Sequence, residues 1–352
     1  MSGPGVSPQA RERYLSALAD GDRGAALEVA GAEVERGVPV ASVLLDLVCA
    51  AQAEVGERWK LGAWNVAREH AATAVSDAVV GALTIGLSPR LDKGHVVVAC
   101  VEGEWHALPA RVVAEILRLS GWRTTYLGAS VPSAHLAQYL HDTGPDAVAL
   151  SCSVATSLPR ARRMIEALRE AGVPVLVGGR GFGPDSLRAR RLAATAWAGT
   201  AEDGARALLD LPGFASPPPP VASSLLDEHR VLQLHHETLV GGALERLARG
   251  FPAMASYGEE QLARTREDLG HIVDFLSAAL YVEDDRIFPE FVEWLVAVVG
   301  ARGVPAQAVV AGLDAVAEAL EDLERDRVGD LPAARRLLDW GRGLAGGPSR
   351  AG

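Results

Sequence analysis

The chain has 352 residues, enough for two or three domains, and 49% of them are apolar, which supplies material for large cores. A formal net charge of −11 argues against general nucleic-acid or anionic-membrane binding. The three cysteines, Cys49, Cys100 and Cys152, show no metal-ligand spacing, the first residues do not read as a signal peptide, and no window of about 18 apolar residues is present to span a membrane, so a reducing cytoplasm is the expected compartment.

The first ninety residues read as all-helical. Apolar periodicity predicts helices over 8–19, 23–36, 40–59 and 65–85, punctuated by Gly37 and Gly62. Val43, Leu44, Leu47 and Val48 share one face, and four such helices joined by short loops pack most simply as a four-helix bundle over residues 1–90. Two features stand out. Trp59 and Trp64 lie about a helix end, and Glu69-His70 opens the fourth helix ahead of Ala71, Ala72, Thr73 and Ala74. Taken alone, that Glu-His pair also suits a solvated helix face.

The run Val96-Val97-Val98-Ala99-Cys100-Val101 reads as a buried parallel strand. A loop with Glu104, His106 and Pro109 follows, then a helix over 110–119. His106 is thus expected at the carboxyl end of the first strand of an α/β unit, where ligands bind in open α/β sheets. A lone loop histidine is ordinarily a solvated residue. Glu104, two positions earlier, is placed to hold one ring nitrogen while the other faces a metal. Further strands over 122–127, 147–153, 173–179 and 195–198 alternate with helices over 133–140, 158–170 and 201–211. That is a flavodoxin-like α/β domain over 91–212. The third strand ends in the hydroxyls of Ser151 and Ser153, the fourth in Gly178-Gly179. No glycine-rich dinucleotide fingerprint follows the first strand.

Glu104-x-His106-x-x-Pro109, then Ser151 at 42 positions past Pro109, then Gly178-Gly179 beginning 27 positions past Ser151, resemble the signature of the cobalamin-binding domain family. That signature is Asp-x-His-x-x-Gly, a Ser-x-Leu further on, then Gly-Gly. The resemblance implies that His106 ligates cobalt from below, the dimethylbenzimidazole tail being displaced into a slot lined by Ser151, Ser153, Gly178 and Gly179. Glycines suit such a slot because a flat base must lie against bare backbone. Glu104 stands where the family has aspartate and reaches further; Pro109 stands where it has glycine, stiffening the loop and removing one amide donor.

Ahead of this domain, Trp59 followed after nine residues by Glu69-His70 resembles the light-sensing adenosylcobalamin regulators of the CarH type. The resemblance implies a bundle that caps the upper face of the corrin, Trp59 packing on the adenosyl group and Glu69 and His70 lying over it. A tryptophan face there excludes water from a weak cobalt–carbon bond. Methionine synthases also use a bundle cap, with bulky apolar residues over a methyl group, and the Trp59 to Glu69-His70 spacing favours the adenosyl form. The regulators carry a DNA-binding domain before the bundle, whereas this sequence begins almost at the first helix, so none is expected in this chain. Lys60 stands where the regulators have the histidine that captures cobalt after photolysis, and His70 is the nearest other candidate.

Residues 213–222 are proline-rich and read as a semi-rigid linker. Helices are then predicted over 225–249, 258–281, 286–301, 306–327 and 332–344, a globin-like or bundle domain over 223–352. On the second of them Ile272, Phe275, Leu276, Ala279 and Leu280 form a packing face, and His271, Asp274, Ala278 and Tyr281 recur along one stripe, as a solvated face also does. Phe291 and Trp294 follow on the next helix. Haem ligation by His235 or His271 has no further signature. The domain order, with Asp268-x-x-His271, Trp294 and Arg302-Gly303-Val304-Pro305, resembles the photocobilins, whose C-terminal domain binds biliverdin beside the cobalamin. The resemblance implies that His271, Asp274 and Tyr281 hold pyrrole nitrogens or carbonyls and that Trp294 packs on a ring. The last domain has no cysteine, so a bilin there is held noncovalently, and its propionates call for cations from among Arg246, Arg249, Arg264, Arg266 and Arg302.

The resulting expectation is a cytoplasmic photoreceptor, not itself an enzyme, carrying adenosylcobalamin and biliverdin. Its other partners are an output protein of unknown kind and further copies of itself. Two alternatives stand beside it: a corrinoid carrier for methyl transfer, and a cobalamin sensor whose last domain docks a protein.

Overall fold

Polar caps set the ends of the first helices in the computed structural model, which describes residues 4–211, 222–326 and 328–347. The expected linker over 213–222 lies almost wholly outside them. The chain divides into two compact units, Met1–Pro217 and Pro218–Gly352. Among the described residues, no helix is long and apolar enough to cross a membrane.

In the first unit, α1 (Pro8–Asp20) opens on Ser7, whose hydroxyl accepts from the Ala10 amide, and closes on Gly21 in the left-handed region. α2 (Arg23–Glu35) opens on Asp22 in the same manner. The sequence predicts one regular helix over 40–59. The chain instead runs through α3 (Val40–Val43), a π-helical segment (Leu44–Cys49) and α4 (Ala50–Lys60). One extra residue in a turn rotates everything beyond it by about 100°. Leu44, Leu47 and Val48 are fully buried there. α5 (Val66–Thr84) starts at Asn65, whose Oδ1 accepts from the Arg68 amide at 2.9 Å. These helices form the expected N-terminal cap.

The α/β part runs β1 (His95–Cys100), α6 (Ala107–Leu119), β2 (Arg123–Gly128), α7 (Ser133–Thr143), β3 (Ala147–Ser151), α8 (Leu158–Glu170), β4 (Val175–Gly178), α9 (Leu187–Arg191), β5 (Ala196–Ala198) and α10 (Ala201–Ala207). Its five strands are all parallel, in the order β2-β1-β3-β4-β5, the doubly wound order with a switch point between β1 and β3. β1 is buried along its whole length, as an uninterrupted valine run requires. α9 was not expected, since five residues are too few for a helical period to register. The helix expected over 201–211 ends early, in a 3₁₀ turn over Leu208–Asp210.

α6 joins the two layers of this unit because it is apolar on two faces. Leu108, Val112 and Ile116 enter the core of the cap beside Tyr14, Leu18 and Val80. Ala110, Ala114 and Leu117 enter the core of the sheet. Burying a large aliphatic side chain of this kind stabilises by about 1.5–3 kcal/mol. Arg118 closes the far end, donating to the Thr84 and Leu87 carbonyls at 2.8 and 2.9 Å. The helical cap therefore rests on the helix that begins immediately after His106.

The second unit holds α11 (Ser223–Leu234), α12 (His236–Gly250), α13 (Glu259–Val282), α14 (Ile287–Gly300), α15 (Ala306–Arg325) and α16 (Pro332–Gly346). The sequence predicts a single helix over 225–249, but the chain breaks at His235, at φ −104° and ψ 16°. Neither glycine nor proline marks the break. α11 presents Gln233 and His229 to Ser277 of α13, at 3.0 and 2.8 Å. α12 buries Leu239, Val240 and Ala243 along a face of its own. The other predicted helices of this unit stand with ends shifted by one or two residues.

α16 starts on a buried acid from α11. Glu228, 4% exposed, accepts from the Ala333 and Ala334 amides at 3.1 and 2.8 Å. Burial raises its pKa in spite of those bonds. Glu228→Ala leaves both amides without that acceptor, and it should destabilise the second unit by about 1–3 kcal/mol in thermal unfolding. An unchanged melting temperature would mean that Glu228 does not hold this helix start.

Candidate functional site

The crevice lies at the carboxyl edge of the sheet, where β1 and β3 end side by side and Cys100 pairs with Ser151. Glu104 and His106 follow β1. The Oε1 atom of Glu104 accepts from the His106 backbone amide at 2.9 Å and lies 2.6 Å from His106 Nδ1. Its Oε2 atom accepts from the Ser153 and Val154 amides, at 2.6 and 3.1 Å. One carboxylate thus ties the loop after β1 to the loop after β3. The reach that glutamate has over aspartate serves this second attachment.

A carboxylate only accepts, so Nδ1 is the donor and Nε2 carries the free lone pair. The Glu104 side chain is 1% exposed and that of His106 62% exposed. Burial pushes the Glu104 carboxyl up, but the bonds from the His106 ring and amide and from Ser153 outweigh it and hold it below the usual carboxylate range. The Glu104 hydrogen bond raises His106, with a smaller upward push from the Glu69 carboxylate. An anchored, electron-rich imidazole with one nitrogen presented outward is what a metal ligand needs. Pro109 sits in the first turn of α6, where an amide has no helical partner to lose. Cys100, pushed up to about 12 by burial, and Cys152, also raised by burial, are thiols rather than thiolate ligands at neutral pH.

The neighbouring loops form a bare-backbone cradle. Gly178 ends β4 opposite Ser151, and Gly179 follows at φ +96°. A Cβ on Gly179 would lie 2.5 Å from the Cys152 carbonyl oxygen, and one on Gly178 3.0 Å from that of Ala198. Ser151 is buried at the strand end, and Ser153 enters through its amide on Glu104. Ser130 was missed from the sequence. At φ +46°, it accepts from the Gly103 amide at 3.1 Å through its hydroxyl and donates its own amide to the Glu104 carbonyl at 2.9 Å. Its only trace in the sequence is a polar loop after the second strand.

On the cap, Trp59 lies half-buried near the end of α4. Trp64 is structural: it is 6% exposed, with the guanidinium groups of Arg58 and Arg68 at 5.4 and 4.8 Å from its ring. The Glu69 side chain is 29% exposed and that of His70 74%, with His70 Nε2 3.4 Å from Glu69 Oε2. Lys60 pairs with Glu57 at 2.5 Å.

In the second unit, the expected stripe is dispersed. His271 is exposed, Asp274 lies 3.4 Å from His236 Nε2, and the Tyr281 ring is 4.7 Å from that of His229. Trp294 neighbours Phe291, which stacks on Phe275 with ring centroids 4.1 Å apart. None of the four candidates lines the cavity of about 280 Å³ in this unit. The cavity meets α13 on another face, through Arg264, Asp268 and Ile272, and is closed by Phe251, Leu295 and Arg302. The two stripes of α13 lie roughly a third of a turn apart. Burial raises the Asp268 pKa. Of the five arginines considered, Arg264 and Arg302 line this cavity. Arg246 pairs with Asp322, Arg266 pairs with Glu237, and Arg249 is exposed.

An outward imidazole nitrogen, a buried carboxylate behind it and a glycine cradle meet at the switch point of the doubly wound sheet. Residues 94–209 match the B12 binding domain family, and residues 10–84 match a second B12 binding domain model. Cobalamin is the ligand that these matches and this site support. The chain is 35% identical over 140 residues to the HTH-type transcriptional repressor CarH of Myxococcus xanthus, covering 39% of this chain and 45% of that protein. It is 26% identical over 171 residues to trimethylamine corrinoid protein 1 of Methanosarcina mazei, covering 46% of this chain and 79% of that protein. The chain therefore spans less than half of the first relative's length. The monomethylamine corrinoid protein of Methanosarcina barkeri shares the fold, with a TM-score of 0.52 at 17% identity over 58% of this chain and 99% of that one.

Glu104→Gln tests the anchor. An amide accepts at one atom only, so donors among His106, Ser153 and Val154 would face an NH₂ group. We expect cobalamin affinity to fall about 10–100-fold, read by titration, and unfolding free energy to fall by about 1–3 kcal/mol. Unchanged affinity would show that Glu104 does not orient the ligand.

Proposed function

We propose that this protein is a light-responsive cobalamin sensor that holds adenosylcobalamin between the helical cap and the α/β layer. His106 Nε2 is the protein ligand to cobalt, and the cradle of Ser151, Ser153, Gly178 and Gly179 receives the nucleotide tail. When bound, the cofactor supplies a cobalt–carbon bond that light can break. The chain's own part is to orient His106 through Glu104, to exclude water with Trp59, and to offer Glu69 and His70 to the polar edge of the upper group. The observation that carries this reading is the arrangement at the α4–α5 corner, with Trp59 near the end of α4 and Glu69 in the first turn of α5, on a cap that rests on the helix following His106. In this proposal residues 1–90 are the cap, 91–212 the cobalamin domain, 213–222 a linker, and 223–352 a globin-like domain.

The second unit is proposed to bind biliverdin noncovalently. In support stand its apolar cavity and the two arginines on it, suited to propionates. At about 280 Å³ the cavity sits near the lower end of ligand pockets, so a linear tetrapyrrole requires its helices to part. His271, Asp274, Tyr281 and Trp294 remain the alternative bilin contacts, from the sequence stripe. Output through a partner protein, assembly of further copies and a cytoplasmic setting belong to the same proposal.

The test reconstitutes the full chain in the dark with adenosylcobalamin or methylcobalamin, with and without biliverdin, and follows absorption before and after illumination. The proposal expects adenosyl retention in the dark, its loss in light, and a red bilin band that separates from the protein in denaturant. Trp59→Ala should speed adenosyl loss or shift preference to methylcobalamin. A light-inert complex would overturn the sensor, and absence of a bilin band would overturn the second chromophore. The corrinoid-carrier reading draws on the 79% coverage of the trimethylamine corrinoid protein. Stable methylcobalamin that passes its methyl group to a thiol acceptor would favour it.

A further inference from the structure

Glu69 is not an isolated surface acid. Its Oε1 atom lies 3.0 Å from the Thr73 hydroxyl, one helical turn along α5. The same hydroxyl lies 3.0 Å from Gln52 Oε1 on α4. Gln52 Nε2 then donates to Ser76 Oγ at 2.7 Å and to the Ala72 carbonyl at 3.3 Å. Tyr14 of α1 donates to Ser76 at 3.3 Å, and Tyr14 and Ser76 are both 0% exposed. A chain of side-chain contacts thus leads from the exposed acid to the buried centre of the cap, across three helices.

The direction of the chain is determined by its partners. The Ala72 carbonyl only accepts, so the Gln52 NH₂ must face it and Gln52 Oε1 must face Thr73; the Thr73 hydroxyl has one proton, so Gln52 Oε1 and the Glu69 carboxylate compete for it. Gln52 follows the π-helical segment over Leu44–Cys49. Without the extra residue of that turn, Gln52 would point about 100° away from Thr73. Part-buried polar groups that hold one another in this manner restrict each other's rotamers.

We propose that Thr73 is a positioning residue that braces the Glu69 carboxylate through its one hydroxyl proton, that Gln52 competes for that proton, and that the two together set the preference of the cap for the upper group of the cofactor. This rests on the reading of Glu69 as a contact of the adenosyl group. A free carboxylate on a helix surface samples several rotamers and discriminates poorly. A braced one presents its second oxygen in one direction, where a hydroxyl-bearing upper group gains a hydrogen bond that a methyl group cannot form.

The experiment measures the dissociation constants of adenosylcobalamin and methylcobalamin, in the dark, for the full chain and for Glu69→Ala, Thr73→Val, Thr73→Ser, Gln52→Leu and the Glu69→Ala/Thr73→Val double variant. The readout is the ratio of the two constants, which a general loss of fold does not move selectively. Thr73→Val should reduce the adenosyl preference about 3–10-fold, whereas Gln52→Leu, which leaves the Thr73 proton to Glu69 alone, should keep or raise it. Thr73→Ser, which keeps the hydroxyl, should retain it. The double variant should equal Glu69→Ala alone, because the brace acts through Glu69. If Thr73→Val fails to fold, Gln52→Leu decides. A preference lost in Glu69→Ala but kept in Thr73→Val overturns the brace alone, as does a loss of preference in Gln52→Leu or a Thr73→Val effect that persists in full without Glu69. A preference untouched by Glu69→Ala overturns the cap reading itself, and the brace with it.

Discussion

Replacing His106 with alanine should abolish the protein nitrogen on the lower face of cobalt while leaving the fold in place. The imidazole is mostly exposed, and its side chain makes no cap bond at the start of α6. Glu104 keeps three backbone amides, those of residue 106, Ser153 and Val154, so the crevice retains its main tie. Loss of the ring bond to the buried Glu104 carboxylate should lower stability by about 1–3 kcal/mol, with the fold retained. Affinity for cobalamin should fall by more than the roughly 10–100-fold typical of losing a group behind the ligand. Electron paramagnetic resonance of the cobalt(II) form should lose the nitrogen splitting due to a protein imidazole. A variant whose spectrum matches the parent's would show that another group ligates cobalt.

Gly179→Ala should have the largest effect on stability. At φ +96° and ψ 164° the backbone lies in a region open essentially only to glycine. An added Cβ would also meet the Cys152 carbonyl oxygen at 2.5 Å, on a backbone that Gly181 holds with its own amide at 2.9 Å. Strain and collision together should cost about 3 kcal/mol or more, a fall of roughly 6–12 °C in the melting of a unit of this size. Gly128→Ala is the control. Its φ is +85°, but nothing lies within 4 Å of the new Cβ, so only conformational strain of about 1–2 kcal/mol applies. If the two variants melt alike, the crowding of the cradle has no energetic weight. If Gly179→Ala folds at low temperature, its cobalamin affinity should also fall, because the methyl group displaces the loop that forms the slot.

These two positions were legible in the sequence because their information is local. His106 and Glu104 are two residues apart, so their pairing needs only a tight loop after a strand. Gly178-Gly179 announces a backbone that must stay bare. The valine run of β1 marks a strand buried on both faces, since no solvent-facing strand tolerates it, and the alternation of strands and helices implies the parallel sheet. The helical character of the cap and of the last unit followed from periodicity. The break at His235 did not, because no residue that breaks helices marks it.

What the sequence by itself determined was therefore the type of the longer elements, the imidazole and its nearest carboxylate, and the glycine positions. All of these depend on contacts within a few residues or on a single repeating period. Tertiary structure alone decided that Glu104 reaches across to Ser153 and Val154, that α6 is shared between cap and sheet, and that Gln52 stands against Thr73. It also decided which two arginines face the cavity of the second unit, and that the stripe of His271, Asp274 and Tyr281 faces elsewhere. Those outcomes depend on distances and rotations between elements far apart in the chain. A one-residue change of helical phase, as at the π-helical segment, redirects a side chain by about 100° with no mark in the pattern of apolar residues.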